Sequence, residues 1–158
     1  MTLRNWLPYA AIAALAVALD QWIKSLVESR LNMHEQVDLL PFFALYRTYN
    51  TGVAFSMFSW VGDRGLVLLS TAVIAFVLFL AWRTTSAIAL TGFTLIVGGA
   101  VGNIIDRVAY GHVIDYFLFH TPSWSFAVFN LADSFITIGA GLVLLHELFG
   151  RRDEAKPD

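Results

Sequence analysis

The chain has 158 residues, 58% of them apolar and only 14% charged, against about 25% charged in ordinary soluble domains. A domain this small has too high a surface-to-volume ratio to hide so much apolar side chain from water, so lipid is the solvent that the composition predicts. A net charge of -2, 15% aromatic residues and the absence of cysteine exclude a disordered chain, a nucleic-acid binder, a secreted disulfide scaffold and any thiolate chemistry.

Four apolar runs are long enough to cross a hydrocarbon core about 30 Å thick, which takes about 20 helical residues. They cover about 7–27, 65–82, 87–105 and 131–149. The first could instead be a cleaved signal peptide, because Arg4 precedes an apolar stretch with small residues near its end. Against that, the pattern continues beyond Asp20 through Trp22, Ile23, Leu26 and Val27. Between the first two runs, residues 28–64 are too long for a structureless loop. Residues 43–49 and 53–58 are aromatic and β-branched enough to be strands about an Asn50-Thr51-Gly52 turn, which predicts a hairpin on the outer membrane surface. Trp60, Tyr116 and Trp124 suit the headgroup zone. The expected fold class is an all-α membrane protein: one domain over 1–158, four transmembrane helices, and a small extracytoplasmic β-element in the first of two outer loops, 28–64 and 106–130.

With an even number of spans both termini share a side, and that side carries Arg4, Arg83, Arg151, Arg152 and Lys156 in short segments. The other side spreads Arg30, Arg47, Arg64 and Arg107 over two long loops. The positive-inside rule therefore predicts cytoplasmic termini.

The same parity gathers the C-terminal ends of helices 1 and 3 and the N-terminal end of helix 4 at one leaflet. The conspicuous polar residues lie there: Asp20 and Lys24, then Asn103, Asp106 and Arg107, then Asn130 and Asp133. Ionisable groups at membrane depth are costly and normally face a bundle interior or a cavity, so each is a functional candidate. Each also has a structural reading. Asp20 and Lys24 are spaced for a helical ion pair, Arg107 stands beside Asp106 to compensate it, and Asn130 with Asp133 reads as an N-cap with its N3 acid. Gly98 and Gly102 suit a close helix-packing face.

Asp115 differs, being surrounded by Val113, Ile114, Tyr116 and Phe117 with no neighbouring base. Desolvation would raise its pKa, whereas the amides of a helix N-terminus would keep Asp133 ionised. Two close carboxyls pushed apart in this way can divide acid and base roles, as in aspartic proteases. Less is offered elsewhere: His34, His112, His120 and His146 lack metal-ligand spacing, and a Ser-Lys hydrolase using Lys24 with Ser56 or Ser59 has no supporting motif.

Five blocks carry a resemblance through nearly the whole chain: Asp20-Gln21-Trp22-Ile23-Lys24, residues 49–56 (YNTGVAFS), residues 98–107 (GGAVGNIIDR), residues 111–116 (GHVIDY) and residues 129–134 (FNLADS). In this order they resemble the bacterial lipoprotein signal peptidases (signal peptidase II), membrane-embedded aspartic endopeptidases with four transmembrane helices. The resemblance implies that Asp115 and Asp133 are catalytic. It implies supporting or substrate-binding roles for Asp20, Lys24, Asn50, Gly52, Asn103, Asp106, Arg107, Asn130 and Ala132. It further implies diacylglyceryl-prolipoprotein substrates cut just before the lipidated cysteine, no metal or other cofactor, no nucleic acid, a lipid environment in the bacterial inner membrane, and a monomer. Two competing classes are a small proton-coupled transporter, in which the acids form a relay, and a non-enzymatic anchoring protein. Transporter sites usually lie near the midplane, not at one leaflet.

Overall fold

The computed structural model describes residues 5–52 and 62–150. Four long helices, α1 (Leu7–Arg30), α2 (Gly62–Arg83), α3 (Ala87–Tyr110) and α4 (Leu131–Leu145), are joined by strands β1 (Gln36–Leu40), β2 (Phe43–Asn50), β3 (Val113–Thr121) and β4 (Trp124–Ser125). A π-helical turn, His146–Gly150, extends α4. All four helices have the length and apolarity to cross a membrane. Their outer faces match, with Leu68 72% and Trp82 76% exposed, as side chains facing lipid would be.

Helix α3 is the hub and packs against α1, α2 and α4. Small residues permit this approach where apolar attraction between helices is weak. A methyl on Gly98 would meet Ala13 and Ala16 of α1, while one on Gly92 or Gly99 would strike the α4 backbone at Gly139 or Ala132. Gly98 and Gly102 do form the expected close packing face, which is turned to α1, and Gly92 and Gly99 add a second close face toward α4.

The helix ends follow from local chemistry. Ser86 caps α3 by accepting the Ala89 amide at 3.3 Å, and Gly111 ends it in the left-handed region at φ 75°, where glycine meets no Cβ penalty. Helix α3 continues five residues past the expected boundary at 105, and α1 runs on to Arg30. Polar side chains near both ends are held by other elements, Glu28 by Arg47, Asp106 by Lys24 and Arg107 by the Gly52 carbonyl.

The β-structure is larger than the expected hairpin, and the all-α description is too narrow. A four-stranded antiparallel sheet of order β1-β2-β3-β4 draws on both long connections. The expected strand over 43–49 is β2, but it pairs with β1 across Pro41 and Phe42 and with β3 on its other side. The expected second strand, 53–58, and Trp60 lie outside the described residues. Thr48 stands opposite Asp115, and Asn50 opposite Val113, so the sheet register sets the end of β2 beside the start of β3.

Candidate active site

Helix α4 begins under the sheet, and each amide of its first turn finds a different acceptor. The Leu131 amide donates to the Tyr116 hydroxyl at 3.1 Å, that of Ala132 to Asp20 Oδ1 at 3.0 Å, and that of Asp133 to Asn130 Oδ1 at 2.9 Å. The Asp133 carboxylate in return accepts the Asn130 amide at 3.2 Å, completing the expected capping box. These bonds satisfy donors that a helix terminus leaves without intrahelical partners. Tyr116 is thus fully buried and does not lie in a headgroup zone.

Beneath this turn, Lys24 lies between two acids: Asp20 at 2.8 Å and Asp106 at 2.7 Å. The Asp20 pair is the expected i,i+4 one. The Asp106 partner corrects the expectation that Arg107 compensates it. Successive helical residues point about 100° apart, so Asp106 faces α1 while Arg107 turns to the β2 end, donating to the Gly52 carbonyl at 2.6 Å. Gln21 braces the same contact, donating to Asp106 Oδ1 at 2.8 Å and to the Gly102 carbonyl at 3.2 Å. A methyl on Gly102 would meet an Asp20 carboxylate oxygen at 2.6 Å. Ala132 is buried against this turn.

The second pair of acids has no cation in contact among the described residues. Asp115, 2% exposed on β3, accepts the Asn50 side-chain amide at 2.9 Å and the Asn130 side-chain amide at 2.7 Å. Asp133 accepts the Asn103 side-chain amide at 2.8 Å. Asn130 therefore donates to both aspartates. Burial, reinforced by the Asp133 negative charge, pushes the Asp115 carboxyl up to about 7, against the opposing pull of Asn50, Asn130 and Lys24. Asn50 also accepts the Gly52 amide at 2.9 Å, which fixes the bend after β2. A cavity of about 630 Å³ opens beside Asp133, with Asp133, Asn50, Asn103 and Arg107 at its polar end and Leu69, Val73 and Ile136 on its apolar wall.

A model of the family described as signal peptidase (SPase) II matches residues 12–149. The chain belongs to the signal peptidase II family. It is 63% identical to a lipoprotein signal peptidase of Mesorhizobium japonicum, covering 98% of this chain and 95% of that one. It is 59% identical to the one of Brucella ovis, covering 90% and 91%. The fold is shared with a bacterial membrane enzyme solved by the in meso method at 2.3 Å resolution, with TM-score 0.85, 23% identity and coverage of 96% and 93%. A second such structure, at 1.9 Å, has TM-score 0.77, 24% identity and coverage of 90% and 93%. With four membrane-length helices, this family member is a multi-pass membrane protein.

The structure brings Asp20, Lys24, Asn50, Gly52, Asn103, Asp106, Arg107, Asp115, Asn130, Ala132 and Asp133 into this one region. Gln21 and Tyr116 also take part in the site, a role that their position in the sequence does not give them. A glutamine at membrane depth, one residue from a buried acid, was the available signal for Gln21. The Tyr116 contact depends on tertiary placement. His146 lies elsewhere, against Ser86 at 3.2 Å.

Proposed function

We propose that the chain is an aspartic endopeptidase that removes signal peptides from diacylglyceryl-modified prolipoproteins, cutting just before the lipidated cysteine. The observation that supports this most is the Asp115–Asp133 pair, linked through Asn130 beside a largely apolar cavity. In this reading Asp133 is the ionised partner and takes a proton from water as its oxygen attacks the scissile carbonyl carbon. Asp115 carries the shared proton and donates it to the carbonyl oxygen, giving a neutral tetrahedral diol. The carbon–nitrogen bond then breaks as the proton held by Asp133 passes to the leaving amine. One diol proton returns to Asp115 as the new carbonyl forms, which restores the starting state of the pair. Asn50, Asn103 and Asn130 hold the carboxyls, and Arg107 with Gly52 shapes the rim on which the substrate backbone rests.

The acyl chains of the substrate would hold the scissile bond at the interface, within reach of the sheet end of the bundle. That end is assigned to the periplasmic face and both termini to the cytoplasm, on the distribution of Arg and Lys. The protein acts as a monomer in this reading. The test is incubation in lipid with a diacylglyceryl precursor peptide. Wild type should cut before the modified cysteine, and folded Asp115→Asn and Asp133→Asn should not. Full cleavage by either variant refutes the dyad, and proton-linked transport without cleavage refutes the peptidase.

A further inference from the structure

Lys24 lies one residue removed from the acids of the proposed dyad, and its ammonium is fully committed. Its three N–H donors meet three acceptors: Asp20, Asp106, and Asn103 Oδ1 at 3.0 Å. An ammonium donates and never accepts, so the Asn103 side chain must turn its oxygen toward Lys24. That oxygen also accepts the Asn130 side-chain amide at 3.2 Å. The opposite end of the Asn103 amide, its NH2, then points at Asp133 Oδ1 at 2.8 Å.

Asn130 has its own constraint, because the Asp133 backbone amide donates to its oxygen and its NH2 faces Asp115 and the Ile114 carbonyl. Among the described residues, the groups that orient the Asn103 side chain are other side chains: Lys24, Asn130 and Asp133. Of these, Asp133 is the one whose hydrogen-bonding sense must change during the reaction. As a carboxylate it only accepts, and once protonated it can donate. Amide rotation would then let Asn103 offer its oxygen to the protonated acid. A donor-only cation on the other side opposes that rotation.

We propose that Lys24 is a positioning residue that keeps Asn103 a donor to Asp133 throughout the catalytic cycle, with Asp20 and Asp106 serving to hold the buried ammonium in place. This rests on the dyad reading above and adds to it a role for the buried Asp20–Lys24–Asp106 triad beyond joining α1 to α3. With Asn103 locked as donor, Asp133 after taking the proton from water has no acceptor at that oxygen, so the proton is released toward the leaving amine. The charged groups around the relay are Asp20 and Lys24 from α1, Asp106 and Arg107 from α3, Asp115 from β3 and Asp133 from α4.

Lys24→Met alone leaves two buried carboxylates without their cation and can fail to fold. The paired variant Lys24→Met with Asp106→Asn removes one charge of each sign, and Asp20 keeps its Ala132 and Gln21 donors. In the folded pair of substitutions, kcat should fall about tenfold or more, as expected for impaired acid–base catalysis. KM should stay near wild type, and the acid limb of the pH–rate profile should move to higher pH. An unchanged kcat and pH profile would overturn the proposal.

Side-chain amide NMR of the unsubstituted protein in nanodiscs tests the orientation whatever the fate of the variants. The Asn103 amide protons should show contacts to the Asp133 β-protons and keep them as pH is lowered. Contacts to the Lys24 ε-protons, or averaging of the two positions on acidification, would overturn it. Failure of the dyad reading is seen separately, as cleavage by Asp115→Asn or Asp133→Asn.

Discussion

Two pairs of acids sit at the same end of the helix bundle and differ in what lies between them. Asp20 and Asp106 are bridged by the Lys24 ammonium at 2.8 and 2.7 Å. Asp115 and Asp133 are bridged by an asparagine, whose neutral donors reach each of them. A cation between two carboxyls draws both to itself and joins the elements that carry them. Neutral amides orient carboxyls without cancelling their charge, so one proton remains to be shared. The difference separates a pair suited to holding structure from one suited to moving protons.

The comparison is broken most sharply by substitution within each pair. Asp115→Asn or Asp133→Asn should lower cleavage by about 10⁴-fold, the upper range for a lost acid or base, while thermal unfolding in detergent stays near wild type. Lys24→Met should do the reverse first and cost stability, about 3–5 kcal/mol for a buried ion pair deprived of one partner, read as a lower unfolding midpoint. If the dyad variants unfolded and the Lys24 variant did not, the two pairs would have exchanged roles.

A pH effect sharpens the contrast. Asp115 is pushed up to about 7 in the folded protein from an ordinary value of 3.8, so its protonated form favours the fold. That contribution is fully present below the unfolded value. It declines as pH rises between the two values, and levels off once the folded carboxyl has ionised. Thermal stability of wild type should therefore fall more steeply than that of Asp115→Asn from about pH 4 to 7. Parallel curves would contradict the raised value. The smallest expected effect is that of Tyr116→Phe, which removes the acceptor for the Leu131 amide and should cost about 1 kcal/mol in the same unfolding measurement.

The Asp20–Lys24 pair and the Asn130–Asp133 cap could be read from the sequence because both depend on neighbours within one helical turn. The four spans were legible for a related reason, since their apolar length is a local property. Asp106 was assigned to Arg107 because adjacency is visible in sequence, whereas its partner Lys24 comes from another helix. The same missing partner shortened α3 in the sequence reading: an acid and a base in succession look like a helix end until one of them is paired inside the bundle. Strand β3 was missed because residues 113–119 form an apolar run around one acid, without the alternation that marks a half-buried strand, and its partner β2 lies before α2 and α3 in the chain. The proposed dyad joins a strand to a helix through Asn130; the contrasting surroundings of the two acids suggested the pairing in the sequence, and the family resemblance implied it.

The central claim is that Asp115 and Asp133 are close enough for the charge of Asp133 to help keep Asp115 protonated. Infrared difference spectroscopy of the carboxyl C=O band, recorded across pH with the protein in lipid, tests it most directly. Wild type should show a carboxyl absent from Asp115→Asn that ionises near pH 7, and Asp133→Asn should move that transition to lower pH by removing the neighbouring charge. An Asp115 band that ionises at the same pH with and without Asp133 would contradict the account.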